Sequence, residues 1–180
     1  HVAFLVQDEW GSAGTALHSG AAPDSALAIP PQDVWRAARF GVHNLTLDTQ
    51  AATWGDEADP DRDRVNSSLG YAFDLDPLAA DDGGAITVAT SGGLAAITFP
   101  RHPGRTDMKY EIEASSALTS GGWSAIASST GGAATVASGA SAVSEITTGA
   151  VKRVTVADVP SAAGTTRRFM RVRVTVLPPF

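Results

Sequence analysis

The chain contains no cysteine, only two methionines, and 7% aromatic residues among its 180 positions. Without cysteine there is no disulfide framework, no thiolate metal site and no cysteine nucleophile. No apolar run approaches the roughly 20 residues that a membrane-spanning helix requires, so membrane insertion through helices is not expected. Charge is sparse as well. Charged residues make up 18% of the chain, and 13 Lys and Arg face 19 Asp and Glu, for a formal net charge of -6 and a pI of about 5.0. That acidic balance disfavours nucleic acid as a partner.

What is present is 43% hydrophobic residues with 18 glycines and 10 prolines, a mixture of short strands and many turns. A chain of this length buries roughly 70% of its unfolded surface, enough for a core without staples. Three zones follow: residues 1–30, an N-terminal strand and loop tether; residues 31–83, short helices with an acidic segment; and residues 84–180, poor in charge and strand-like. The chain begins at His1 with no initiator Met, the form expected of a mature exported protein, hence secreted, extracellular or on the cell surface.

The last zone carries the fold signal. Ala85–Ala89 and Leu94–Phe99 flank Ser91-Gly92-Gly93, a hairpin pattern. Met108, Tyr110, Ile112 and Ala114 alternate with Lys109, Glu111 and Glu113, as do Met170, Val172, Val174 and Val176 with Arg171, Arg173 and Thr175. That is the period of a strand with one wet face. Trp123–Ala127, Ala134–Ala137, Val143–Ile146 and Val151–Val156 are shorter strand candidates. The expected fold is mainly β, an antiparallel Ig-like β-sandwich preceded by a small helical segment. Pro30-Pro31 ahead of Gln32–Phe40 predicts a short helix stopped at Gly41, with Val34, Ala37 and Ala38 on one face.

The acidic segment carries the chemistry. Nine of the 19 acids lie between Asp56 and Asp82. Asp59, Asp61 and Asp63 alternate, so a curled loop aims three carboxylates at one hard cation. A helix after it is expected to bury Val65, Leu69 and Phe73. The run Asp59-Pro60-Asp61-Arg62-Asp63, followed by Asn66, Tyr71-Ala72 and Asp76-Pro77, resembles the thrombospondin type 3 or dockerin-like calcium loop found near the C-terminus of many large secreted bacterial surface proteins. Trp35–Phe40 is similar to the helix that precedes that loop. Tyr110-Glu111-Ile112-Glu113-Ala114-Ser115 with Trp123, and Arg167-Arg168-Phe169-Met170-Arg171-Val172-Arg173-Val174, are similar to strands of the β-sandwich region that follows it. The resemblance implies Ca²⁺ held by Asp59, Asp61, Asp63 and the Val65 carbonyl, with Asp74 or Asp76 assisting. Two positions depart from it. Loops of this type place Gly sixth and a bidentate acid twelfth, where this chain has Arg64 and Gly70. The alternative is a loop in which Arg62 and Arg64 pair with the acids and no metal binds.

Other chemistry has thinner support. A copper monooxygenase site built on His1 needs a second histidine from His18, His43 or His102, none of them in a motif. No Gly-x-Ser-x-Gly occurs, and Glu111 and Glu113 read as solubilising charges. Arg171 and Arg173, with Arg167, Arg168, Lys152 and Arg153, form a basic stripe suited to orienting a subunit contact. The terminal run His1–Gln7 has Val2, Phe4 and Val6 on one side and Leu5 on the other, and a strand of this kind can complete a neighbour's sheet. The expected function is therefore a non-enzymatic extracellular structural module, a self-assembling homo-oligomer or polymer in a surface fibre or pilus-like filament, with Val2, Phe4, Leu5, Val6, Arg171 and Arg173 as contacts. The alternative is a carbohydrate-binding accessory module that stacks polysaccharide on tryptophan, with Trp10, Trp35, Trp54 and Trp123 as candidates, of which Trp35 and Trp123 read better as core.

Overall fold

The computed structural model describes residues 29–80, 85–91, 94–119, 121–139, 141–159 and 167–178. Among the described residues three α-helical segments come first: α1 (Pro31–Phe40), then after a 3-10 turn at Val42–Asn44 the short α2 (Leu47–Thr49), which widens into a π turn at Gln50–Trp54, and α3 (Ser67–Phe73). Eight strands follow: β1 (Thr87–Ser91), β2 (Leu94–Arg101), β3 (Met108–Ser115), β4 (Ser124–Thr130), β5 (Val136–Ala137), β6 (Ala142–Thr148), β7 (Val151–Ala157) and β8 (Phe169–Val176). They form two antiparallel four-stranded sheets, in the orders β1-β2-β7-β6 and β5-β4-β3-β8. The sheets face one another with β2 against β8 and β6 against β5. The expected sandwich, with a helical segment ahead of it, is what the chain forms.

Local chemistry sets the element ends. Proline opens α1, where a missing N–H costs nothing, and Gly41 closes it at φ +77°, its amide donating to the Ala37 carbonyl. The Asn66 side chain caps α3 by accepting the Leu69 amide at 3.0 Å. In β3 the inward Met108, Tyr110, Ile112 and Ala114 are buried while Lys109, Glu111 and Glu113 are half-exposed, the alternation read from sequence.

Two expected helix faces are corrected. In α1 the buried residues are Gln32, Trp35 and Phe40, while Val34 and Ala38 are exposed. The face is chosen by the largest apolar body: Trp35 packs edge-on to Phe40 at 5.9 Å and against Tyr71 at 5.4 Å. In α3 Val65 lies before the helix, Leu69 is half-buried, and Ser67, Gly70, Tyr71, Ala72 and Phe73 turn inward. Gly70 sits where a side chain would meet the Trp35 ring, at 3.9 Å. One core thus joins the helices to the sandwich. Phe73 meets Phe99 of β2 edge-on at 6.1 Å, Phe99 stacks on Tyr110 of β3 at 6.1 Å, and the Tyr110 hydroxyl donates to the Ala72 carbonyl at 2.6 Å. Aromatic pairs of this kind add about 0.5–1.5 kcal/mol each beyond area burial.

Candidate functional site

The loop between the π turn and α3 is held at both ends. The Ser67 amide and hydroxyl both donate to the Ala58 carbonyl, and the Ser68 amide donates to the Asp56 carbonyl. Between these ties the chain curls so that carboxylate oxygens of Asp59, Asp61 and Asp63 all lie within 4.8 Å of one another. The curl uses left-handed backbone at Arg62 (φ 64°) and Arg64 (φ 75°). Arg64 therefore adopts the conformation that glycine serves at the sixth position of such loops. The Arg64 amide donates to Asp59 Oδ2, the Asp63 amide to Asp61 Oδ1, and the Val65 amide to Asp63 Oδ1 at 2.7 Å. Asp59 Oδ1 is buried with no hydrogen-bond partner. Burial, and the negative charge of Asp63 and Asp59, push the Asp61 carboxyl above the ordinary aspartate range, against the Asp63 amide that favours its ionised form. A buried carboxylate oxygen without a donor on Asp59, beside an Asp61 carboxyl raised by burial and by its acidic neighbours, fits a cation. These three residues can hold a metal ion.

Both arginine side chains are exposed, and Arg64 meets the cluster through its backbone amide on Asp59 Oδ2. The assisting acids are corrected. Asp74 pairs with Arg105 at 2.9 Å and Asp76 with Arg39 at 3.5 Å, so neither joins the cluster. Val65 enters the loop through its amide, bound to Asp63.

A second polar junction went unread in the sequence. Asp107 accepts the Tyr71 hydroxyl on Oδ1 and the Gln32 amide on Oδ2, while its own carbonyl accepts the Leu177 amide at 2.7 Å. One residue thus ties α1, α3 and the end of β8 to the start of β3. Arg105 lies over the Tyr71 ring at 4.3 Å. Burial first, then the hydrogen bond to Asp107, holds the Tyr71 hydroxyl protonated well above the usual tyrosine range. These partners are separated by 36 and 75 positions along the chain, so no local spacing signals them.

Among the described residues, β1 pairs only with β2 and β8 only with β3, so nothing described covers the β1–β8 side of the sandwich. Partners in an antiparallel pair share a face, so Val88, opposite Ile97, points between the sheets; Ile97 is buried, yet Val88 is 65% exposed. On the facing sheet, Met170, Val172 and Val174 of β8 lie opposite Ala114, Ile112 and Tyr110 of β3. The β3 residues are fully buried and their β8 neighbours only half-buried. Val176, opposite the buried Met108, is exposed. Arg171 and Arg173 stand on the outer face of β8 opposite Glu113 and Glu111. Arg171 binds Glu113 at 2.6 Å and covers the Trp123 ring at 4.2 Å, so part of the expected basic stripe is neutralised within its own sheet.

The remaining candidates disperse. Val2, Phe4, Leu5 and Val6, with His1, Trp10 and His18, lie outside the described residues. His43 is exposed beside α1, and His102 accepts the Gly104 amide on its ring nitrogen. Trp35 is core, Trp54 lies under Arg36, and Trp123 is a half-buried surface residue rather than core. Comparison with protein-family models, curated proteins and solved structures gives no match.

Proposed function

We propose that this chain is a non-enzymatic extracellular structural module, a subunit of a self-assembling surface filament, with a Ca²⁺-binding loop that locks its helical cap. The observation that carries the proposal is the open side between β1 and β8. Long edge strands are normally blunted by proline, bulges, charged side chains or a covering element, because their free N–H and C=O groups recruit other strands. The charges of β8, Arg171 and Arg173, stand on its outer face only, with Arg171 paired to Glu113. β8 pairs with β3 without a break from Phe169 to Val176 and contains no proline. Its inner row of Met170, Val172 and Val174 is only half covered. Such an edge suits a protein whose work is contact.

Calcium supplies stiffness in this reading. Asp59, Asp61 and Asp63 would hold the ion, which neutralises a cluster that otherwise repels itself, and the likeness of Asp59–Pro77 to secreted calcium loops supports that choice of metal. The loop leads into α3, which is bonded to β3 through Tyr110 and Ala72, so ordering it fixes the cap against the sandwich. The test is electron microscopy of the full chain at rising concentration with Ca²⁺, alongside sedimentation. Regular filaments or discrete oligomers are expected. A strictly monomeric chain under all these conditions would overturn the assembly reading.

A further inference from the structure

Resting on that self-assembly reading, we infer that the open side of the sandwich is filled by His1–Gln7 of a second copy, added as a strand along the free edge of β8. The gap has the shape of a missing strand. Phe99 and Tyr110 stack across the two sheets. Two residues further along β2 and β3 stand Ile97 and Ile112, whose outer partners are Val88 and Val172. The two edge strands on this side therefore present Val88 and Val172 at the same level, with Ile86, two residues before Val88, and Val176, four after Val172, also exposed. An added strand beside β8 would place every second side chain into this gap and satisfy the edge's backbone groups.

The sequence holds one segment with the required pattern outside the described elements. His1-Val2-Ala3-Phe4-Leu5-Val6-Gln7 contains no Asp, Glu, Lys or Arg and sets Val2, Phe4 and Val6 on one side. At about 3.4 Å per residue it spans about 24 Å, close to the eight residues of β8. Of the other stretches outside the description, 8–28 carries acids and several Gly and Ser, 160–166 has no large apolar residue, and the rest are four residues or fewer. The tether argues for a second copy. Ile29 lines one cavity with Val176, Leu177 and Pro178, so the chain already stands at the end of its own β8 when it reaches α1. A local return along that strand is most commonly made by a connection of roughly 2–5 residues. Fully extended, a 21-residue tether (8–28) would span up to about 70 Å, enough for a neighbouring domain.

The absence of native cysteine makes disulfide trapping clean. Full-length Ala3→Cys, Leu5→Cys and Gln7→Cys chains are each mixed with full-length Arg173→Cys chains, whose thiol lies on the outer face of β8. Ser144→Cys on β6, the edge of the other sheet, is the comparison. One of the three positions should link to Arg173→Cys between chains about a hundredfold faster than any links to Ser144→Cys, the gain expected from a docked strand at micromolar chain. Phe4→Asp added to that chain should abolish the link with the melting temperature unchanged. A link formed only within a single Leu5→Cys/Arg173→Cys chain, independent of dilution, would overturn the second copy as donor. Preferred linkage to Ser144→Cys would overturn the choice of edge. Filaments that form normally from Phe4→Asp chains would remove the strand and leave assembly standing, whereas linked dimers without filaments would keep the strand and remove the polymer.

Discussion

Replacing Glu145 with alanine should destabilise the domain by about 3–5 kcal/mol, the usual consequence of leaving a buried charge without its partner. Arg101 is only 1% exposed although it is the last residue of β2. It reaches across β7 to place one guanidinium nitrogen on both Glu145 oxygens, at 3.0 and 3.1 Å, and another on the Gly132 carbonyl at 3.0 Å. Its Nε is buried without a partner, so the guanidinium has no reserve of hydrogen bonds. Glu145 also accepts the Thr135 amide at 2.8 Å. Burial alone would raise the Glu145 carboxyl, but the hydrogen bonds from Thr135 and from Arg101 outweigh it and hold the carboxyl below its ordinary range. Against a total stability of about 5–15 kcal/mol, the loss lowers the melting temperature by roughly 10 °C in a chain of this size. Urea denaturation measures it through the midpoint at constant slope. Arg101→Met/Glu145→Leu should recover most of the loss, since an apolar pair of similar volume replaces a buried ion pair without penalty. The sign in pH follows from the lowered value: the stabilisation is complete above the unfolded-state value and disappears as pH falls through the folded one. A Glu145→Ala chain within 1 kcal/mol of the parent would refute the reasoning, by showing that Arg101 reaches water.

Three further outcomes test the cap and its loop. Ca²⁺ should raise the melting temperature and EDTA lower it, with Asp59→Asn abolishing the response. Because Asp61 is raised in the folded state, its charge costs stability above that value, so the Ca²⁺ response should fade as pH drops through it; a melting curve indifferent to Ca²⁺ at neutral pH would remove the metal. Arg64→Gly relieves a left-handed strain of about 1–2 kcal/mol against a glycine entropy cost of about 0.5–1 kcal/mol. It should therefore stabilise slightly and strengthen the Ca²⁺ response; a destabilised Arg64→Gly chain would contradict the left-handed assignment. Tyr71→Phe should cost about 1–2 kcal/mol in urea denaturation, by leaving one Asp107 oxygen without its donor. A neutral substitution would show that water replaces the hydroxyl.

Most of the sandwich was legible because strand alternation is a local signal. Tyr110-Glu111-Ile112-Glu113 states its two faces in four letters, and all eight strands overlap the runs expected of them except for slippage at the ends. β1 begins at Thr87 rather than Ala85, and β4 at Ser124 rather than Trp123. Helix faces were less legible. In α1, counting small apolar residues favoured Val34 and Ala37, but a single indole buries more area than two such side chains, and tertiary packing sets the rotation of a ten-residue helix. The Asp triad was legible through its spacing alone. The Asp107 junction and the Arg101–Glu145 pair were not, because both join residues far apart in the chain, and lone charged residues at strand ends read as solvated until the fold brings their partners to them.

The open side of the sandwich depends on the same distinction between local and distant information. Exposure by itself says little, since large apolar side chains are scattered over most protein surfaces. Ile146 on β6 is as exposed as Val88, yet it pairs with Arg153 and faces solvent. Val88 pairs with Ile97 and faces the core. Register, not hydropathy, separates a surface isoleucine from a core valine left uncovered. On β8 the half-covered side chains fall on every second residue from Met170 to Val174, on the inner face only, while Arg171 and Arg173 hold the outer face. An ordinary edge strand keeps that order too, because its inner face packs on the facing sheet; the assembly reading rests instead on the inner row being only half covered, the face and edge that an added strand would read at once.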